Sequence, residues 1–258
     1  MHIEIQDKDR NVLGKSVDSG YGCALVHQAA YNEGDQIVIH VPVSGLYSIQ
    51  HDETLGSHVV YLEREARYAI PLQPALRTCY PVQAFLGSMH LLTLAKVEQT
   101  SRRNLALNPY DHHHTQGIFP HAKVNVETRG EMVFAARNAI DGNHANHSHG
   151  NYPFESWGIN RDPKAELTLD FGRPVRIDEI RLTLRADWPH DSWWTEASVT
   201  DDTGETYTLA LQKDALPQQF PIKEKVVTSL TLHDLKKDER DPSPFPALTQ
   251  IEVWGVEA

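Results

Sequence analysis

The chain has 258 residues, 40% of them apolar and 23% charged, a composition that suits a folded globular protein and leaves no low-complexity tract for disorder. Its 24 Lys and Arg face 35 Asp and Glu, a formal charge of -11 that repels a phosphate backbone and so excludes nucleic acid as an expected partner. Cys23 and Cys79 are the only cysteines, too few for a disulfide framework, and are expected as buried free thiols. No apolar run reaches membrane-spanning length, and the opening Met1-His2-Ile3-Glu4-Ile5-Gln6 does not read as a secretory signal. As written, the chain is expected in the cytoplasm.

Strand signals dominate from the start. In Ile37-Val38-Ile39-His40-Val41-Pro42-Val43 the residues Ile37, Ile39, Val41 and Val43 share one face, and Pro42 on the other suggests a sheet edge. Strand-like runs follow at 46–50, 57–62, 68–72 and 90–95, with Gly, Pro and polar residues between them. Residues 1–102 therefore read as an all-β domain, an N-terminal β-sandwich. The pattern lapses after Lys96, and Arg102-Arg103 marks the expected boundary.

Alternation is clearer in residues 103–258. Leu167, Leu169 and Phe171 interleave with Glu166, Thr168 and Asp170, and Gly172-Arg173-Pro174 is expected to turn the chain. Ile180, Leu182, Leu184 and Ala186 alternate with Arg181, Thr183, Arg185 and Asp187. Further strands are expected at 197–200, 207–211, 229–233 and 250–254, with Asp202-Thr203-Gly204-Glu205 as a hairpin turn. The spacing suits an antiparallel sandwich or jelly roll.

Along the second half Asn104-Leu105-Ala106-Leu107-Asn108, Asn138-Ala139-Ile140-Asp141-Gly142, Ser156-Trp157-Gly158, Leu167-Thr168-Leu169-Asp170-Phe171-Gly172 and Leu248-Thr249-Gln250-Ile251-Glu252-Val253-Trp254-Gly255 follow one another in order. In that order and spacing they resemble the discoidin, or coagulation factor 5/8 type C, family over about the last 155 residues. The resemblance implies a galactose-binding-like β-sandwich jelly roll that binds a ligand at one end and does no chemistry. It also implies a structural calcium beside the Asp-Gly turn, for which Asp141 and Glu252 hold the matching positions. A longer His/Asn-rich stretch reaching Trp157 stands where the family has a short loop, so Asp141 reads equally as a cap for the turn.

Two segments carry binding chemistry. Asp187-Trp188-Pro189-His190-Asp191-Ser192-Trp193-Trp194 holds three of the five tryptophans among polar neighbours, a pattern suited to stacking on sugar CH faces while Asp and His take the hydroxyls. The other reading is that Trp193 and Trp194 start a strand and plug the sandwich. His144 to Tyr152 holds three histidines and two asparagines. The sequence thus points to carbohydrate binding by Trp188, Trp193, Trp194, Arg185, Asp187, His190, His147, His149 and Trp157. A metal-dependent sugar enzyme using the His-rich loop and a protein-interaction module are the alternatives, although neither a His-Glu-x-x-His motif nor a nucleophile elbow is present.

Overall fold

A computed structural model of the chain describes residues 1–18, 22–98, 101–185 and 192–258. Its sixteen strands among those residues pair in antiparallel fashion throughout, so the all-β expectation is borne out.

The N-terminal half supplies β1 (His2–Gln6), β2 (Val12–Lys15), β3 (Cys23–His27), β4 (Gln36–His40), β5 (Gly45–Gln50), β6 (His58–Ala69) and β7 (His90–Lys96). They form one sheet in the order β2-β1-β4-β6-β5-β7-β3, and it curls until β3 lies against β1 and β2. Ile3, Ile5, Ile37, Ile39, Tyr47 and Tyr68 fill the space it encloses. The runs expected at 57–62 and 68–72 are one strand, β6, because Glu63 to Arg67 stay extended between β4 and β5. Pro42 marks no edge: β4 is an inner strand that stops at His40, before the proline could interrupt its ladder, and Val43 is exposed rather than core.

In the second sheet the order is β11 (Trp157–Gly158), β16 (Ala247–Glu257), β12 (Leu167–Leu184), β15 (Gln218–Lys237), β13 (Trp194–Asp201) and β14 (Thr206–Ala210). β8 (Arg103–Asn104) pairs with β16, and β10 (His121–Val124) pairs with β12. The expected turn at Gly172-Arg173-Pro174 is a correction: β12 runs straight through it, with a break in register between Asp170 and Val175 that bends the strand over the core. Gly172 adopts φ 67 there, and any Cβ would collide with the Phe119 ring. The hairpin at 202–205 is present, with Asp201 Oδ1 accepting from the Thr203 N–H at 2.8 Å.

The chain enters the second sheet at residue 103 but then returns. β9 (Gln116–Phe119) adds to β6 of the first sheet, and Tyr110, Ile118, Met132 and Ala135 join the first core. Arg137 locks this return. Its buried guanidinium lies 4.3 Å from the Tyr80 ring centroid and donates to the carbonyls of Asp111, Cys79 and Pro109 and to Asn138 Oδ1. Both cysteines are free and buried, and burial pushes the Cys79 thiol up to about 11. No helix among the described residues is long and apolar enough to cross a membrane.

Candidate functional site

Three neighbouring strands end together at one edge of the second sheet. Gly158 of β11 pairs with Ala247 of β16, and the Arg185 N–H at the end of β12 donates to the Ala247 carbonyl at 3.1 Å. That register gathers three short segments, 128–134, 158–161 and 245–247, around a cavity of about 160 Å³. The Thr128 hydroxyl ties two of them by accepting from the Asn160 N–H at 2.9 Å. Gly158 is required for the closeness: a Cβ there would lie 2.6 Å from Thr128 Oγ1 and 3.1 Å from the Phe134 ring.

The walls are cationic and aromatic. Arg129 lies over the Phe134 ring at 5.3 Å and Arg161 over the Phe245 ring at 5.2 Å. Arg185 is buried and donates to the Phe245 carbonyl at 3.1 Å, and His149 stands at the rim. Arg129 is fixed from outside by Glu131, which accepts from its Nε and Nη2 at 2.6 and 2.8 Å. Among the described residues, no Asp or Glu lines this cavity. Arg129, Asn160 and Arg161 have φ of 55, 49 and 62, three of the six non-glycine residues described with left-handed backbone. Such strain collects where surrounding structure holds a functional geometry. A wider groove of about 890 Å³ adjoins the cavity and shares Ile159, Arg161 and Pro246 with it.

Of the residues that the sequence singles out, Arg185 and His149 meet here. Asp187, Trp188 and His190 lie outside the described residues. Trp194 and Trp157 are corrections, since each is 0% exposed and offers no face to a ligand. Trp194 faces the core from β13, and Trp157 donates its Nε1–H to the Val126 carbonyl at 3.0 Å. Trp193 is half-buried and packs on the same core. The loop histidines diverge: His144 lies 3.4 Å from Glu252 Oε1, His147 packs edge-on to Phe154 at 4.7 Å, and only His149 reaches the cavity. They are not gathered into one set of metal donors, as the enzyme alternative requires.

Asp141 does not have the surroundings of a calcium ligand. Its Oδ1 accepts from the Asn143 N–H at 2.9 Å and Gln250 Nε2 at 2.8 Å, and its Oδ2 faces Arg137 at 3.7 Å. Those neighbours are donors and a cation, whereas calcium takes a shell of oxygens. Glu252 is engaged by the Trp254 indole N–H at 2.6 Å. Burial, and then Glu155 nearby, push the Asp141 carboxyl up to about 7. The donor set fits a hydrogen-bonded carboxyl that caps the turn.

Arg129, Arg161, Phe134 and Phe245 are not among the residues that the sequence singles out. They belong to no motif and, the neighbouring pair Arg129 and Phe134 aside, are 27 to 116 positions apart, so only the pairing of β11 and β16 brings them together.

No protein-family model matches the sequence, and no curated protein matches it. Solved structures do. A chitosan-binding module of a chitosanase/glucanase from Paenibacillus sp. IK-5 is similar at 16% identity and TM-score 0.42, over 59% of this chain and 99% of the module. A fucose-binding module from Streptococcus pneumoniae is similar at 12% identity and TM-score 0.43, over 60% and 96%. The family 32 carbohydrate-binding module from C. perfringens NanJ, solved with galactose, is similar at 15% identity and TM-score 0.39, over 52% and 91%. The fold described above stands on the strand pairing of this chain itself.

Proposed function

We propose that the chain binds carbohydrate without transforming it, and that the sugar unit held at the end of the second sheet carries a carboxylate or sulfate. One observation supports this most: a protein of formal charge -11 presents a pocket with three arginines, two phenylalanine rings and, among the described residues, no lining carboxylate. Guanidinium forks pair with planar anions through two hydrogen bonds at once. The aromatic edges and Pro246 supply apolar contact for the CH groups of a pyranose ring, and Asn160 and His149 supply hydroxyl partners. At about 160 Å³ the cavity is smaller than the roughly 300–1,000 Å³ of sites that enclose drug-sized ligands, so it takes one sugar unit. The adjoining groove gives a longer glycan a path onward through Arg161.

Affinity in the micromolar to millimolar range, about 4–8 kcal/mol, is expected of so small a site. The test is a thermal-shift panel of uronic, sulfated, neutral and amino sugars at low and high salt. Acidic sugars raise the melting temperature by mass action, and the shift shrinks in salt as the ion pairs are screened. An equal or larger shift with neutral or amino sugars, or no shift with any, overturns the assignment.

A further inference from the structure

A second cluster of chemistry-bearing side chains lies on the outer face of the first sheet, opposite Ile3 and Ile5 in the core. His2 of β1 is the register partner of His40 of β4, and Glu4 follows two residues along on the same face as His2. His40 is in turn the partner of Glu65 on β6, and Glu4 is the partner of Lys15 on β2. Four adjacent strands thus place two imidazoles and two carboxylates side by side.

The distances are close to those of a metal site. His2 Nε2 lies 3.2 Å from Glu4 Oε1, His40 Nε2 lies 3.9 Å from Glu4 Oε2, and one ligand atom from each residue falls within a mutual spread of 4.8 Å. Donors at about 2.0–2.2 Å from a tetrahedral ion stand about 3.3–3.6 Å apart, so side-chain rotations that close the widest pair by up to about 1.5 Å bring the three onto one ion. One outer contact also suits the site: Gln6 Nε2 donates to Glu4 Oε2 at 2.7 Å and fixes that carboxylate, while His40 Nδ1 lies 3.8 Å from Glu65 Oε2, an ion-pair distance rather than a hydrogen bond.

We propose that His2, Glu4 and His40 form a binding site for a divalent transition ion, with water or an exogenous ligand completing the coordination. Two imidazoles and one carboxylate suit zinc or nickel, and exclude a preference for calcium or magnesium. Lys15 is the built-in competitor. Its Nζ donates to Glu4 Oε1 at 2.9 Å, and with its side chain half exposed it swings into solvent when the ion arrives.

Calorimetric titration of the full chain with Zn2+, and separately Ni2+, tests the site. Wild type binds one ion per chain at micromolar or tighter affinity. His40→Ala and His2→Ala each weaken that step by at least about tenfold, the loss seen even when an outer partner of a metal ligand is removed. Lys15→Met, which removes the competing ammonium and leaves every ligand side chain in place, tightens it. His113→Ala, at an exposed histidine that also meets a glutamate, leaves it unchanged. Unaltered affinity in the His2 and His40 variants, loss confined to His113→Ala, no change in Lys15→Met, or binding no tighter than millimolar in wild type would each overturn the proposal. Circular dichroism of every variant separates a lost site from a lost fold.

Discussion

The two cores are built from different materials. The first encloses Tyr31, Tyr47, Tyr68, Tyr80, Tyr110 and Phe85, with His51 and His112 packed on Tyr68 at 4.8 and 4.7 Å. The second is a field of Leu, Ile and Val closed by Trp157, Trp194 and Phe171. An aliphatic core is indifferent to pH, whereas burial depresses both histidines of the first to about 3. The buried histidines therefore sit in one unit, and the anion pocket sits in the other.

Arg137 is the first place to break that division, because it belongs to both halves. Arg137→Met strips the partner from three carbonyls and from Asp141, and should cost about 3–5 kcal/mol and loosen the two units together. Urea unfolding followed by tyrosine and tryptophan fluorescence reads the two units separately, and an unchanged midpoint would contradict the linkage.

The next effect sharpens the contrast in acid. His51 is neutral in the folded state down to about 3 and takes up a proton near 6.5 when unfolded, so its stabilisation is complete above 6.5 and is lost as pH falls toward 3. Its Nε2 has no hydrogen-bond partner among the described atoms, so phenylalanine fits the site chemically. Between pH 7 and pH 4.5 wild type should lose about 2 kcal/mol more than His51→Phe. Parallel losses in the two proteins would place the acid sensitivity elsewhere. Gly158→Ala is a smaller, local change in the second unit. Its methyl group pushes Thr128 and Phe134 into the cavity at about 1–3 kcal/mol, and binding should fall while the first unit's midpoint stays put.

How much of this was legible in the sequence differs between the halves for a physical reason. β12 buries one face over most of its length, and period-2 alternation announces it. In β4 both Ile37 and Val38 are buried, although only Ile37 belongs to the first core, and there alternation misled about Val43. The run through Gly172 reads as a turn because a bulge and a turn ask for the same residues. Tryptophan content drew attention to Trp157 and Trp194, yet their size is what fits them for the core. Arg129 and Arg161 stayed silent, since isolated arginines on separate loops have no spacing to read.

Arg161 offers the most direct test of the central claim. It is exposed, its φ of 62 is one that asparagine tolerates, and Arg161→Asn removes the guanidinium with little effect on the fold. Calorimetric titration of an acidic oligosaccharide into wild type and Arg161→Asn should give saturable, salt-sensitive binding in the first and at least about a tenfold weaker isotherm in the second. The same isotherm in both proteins would show that the sugar lies elsewhere on the molecule.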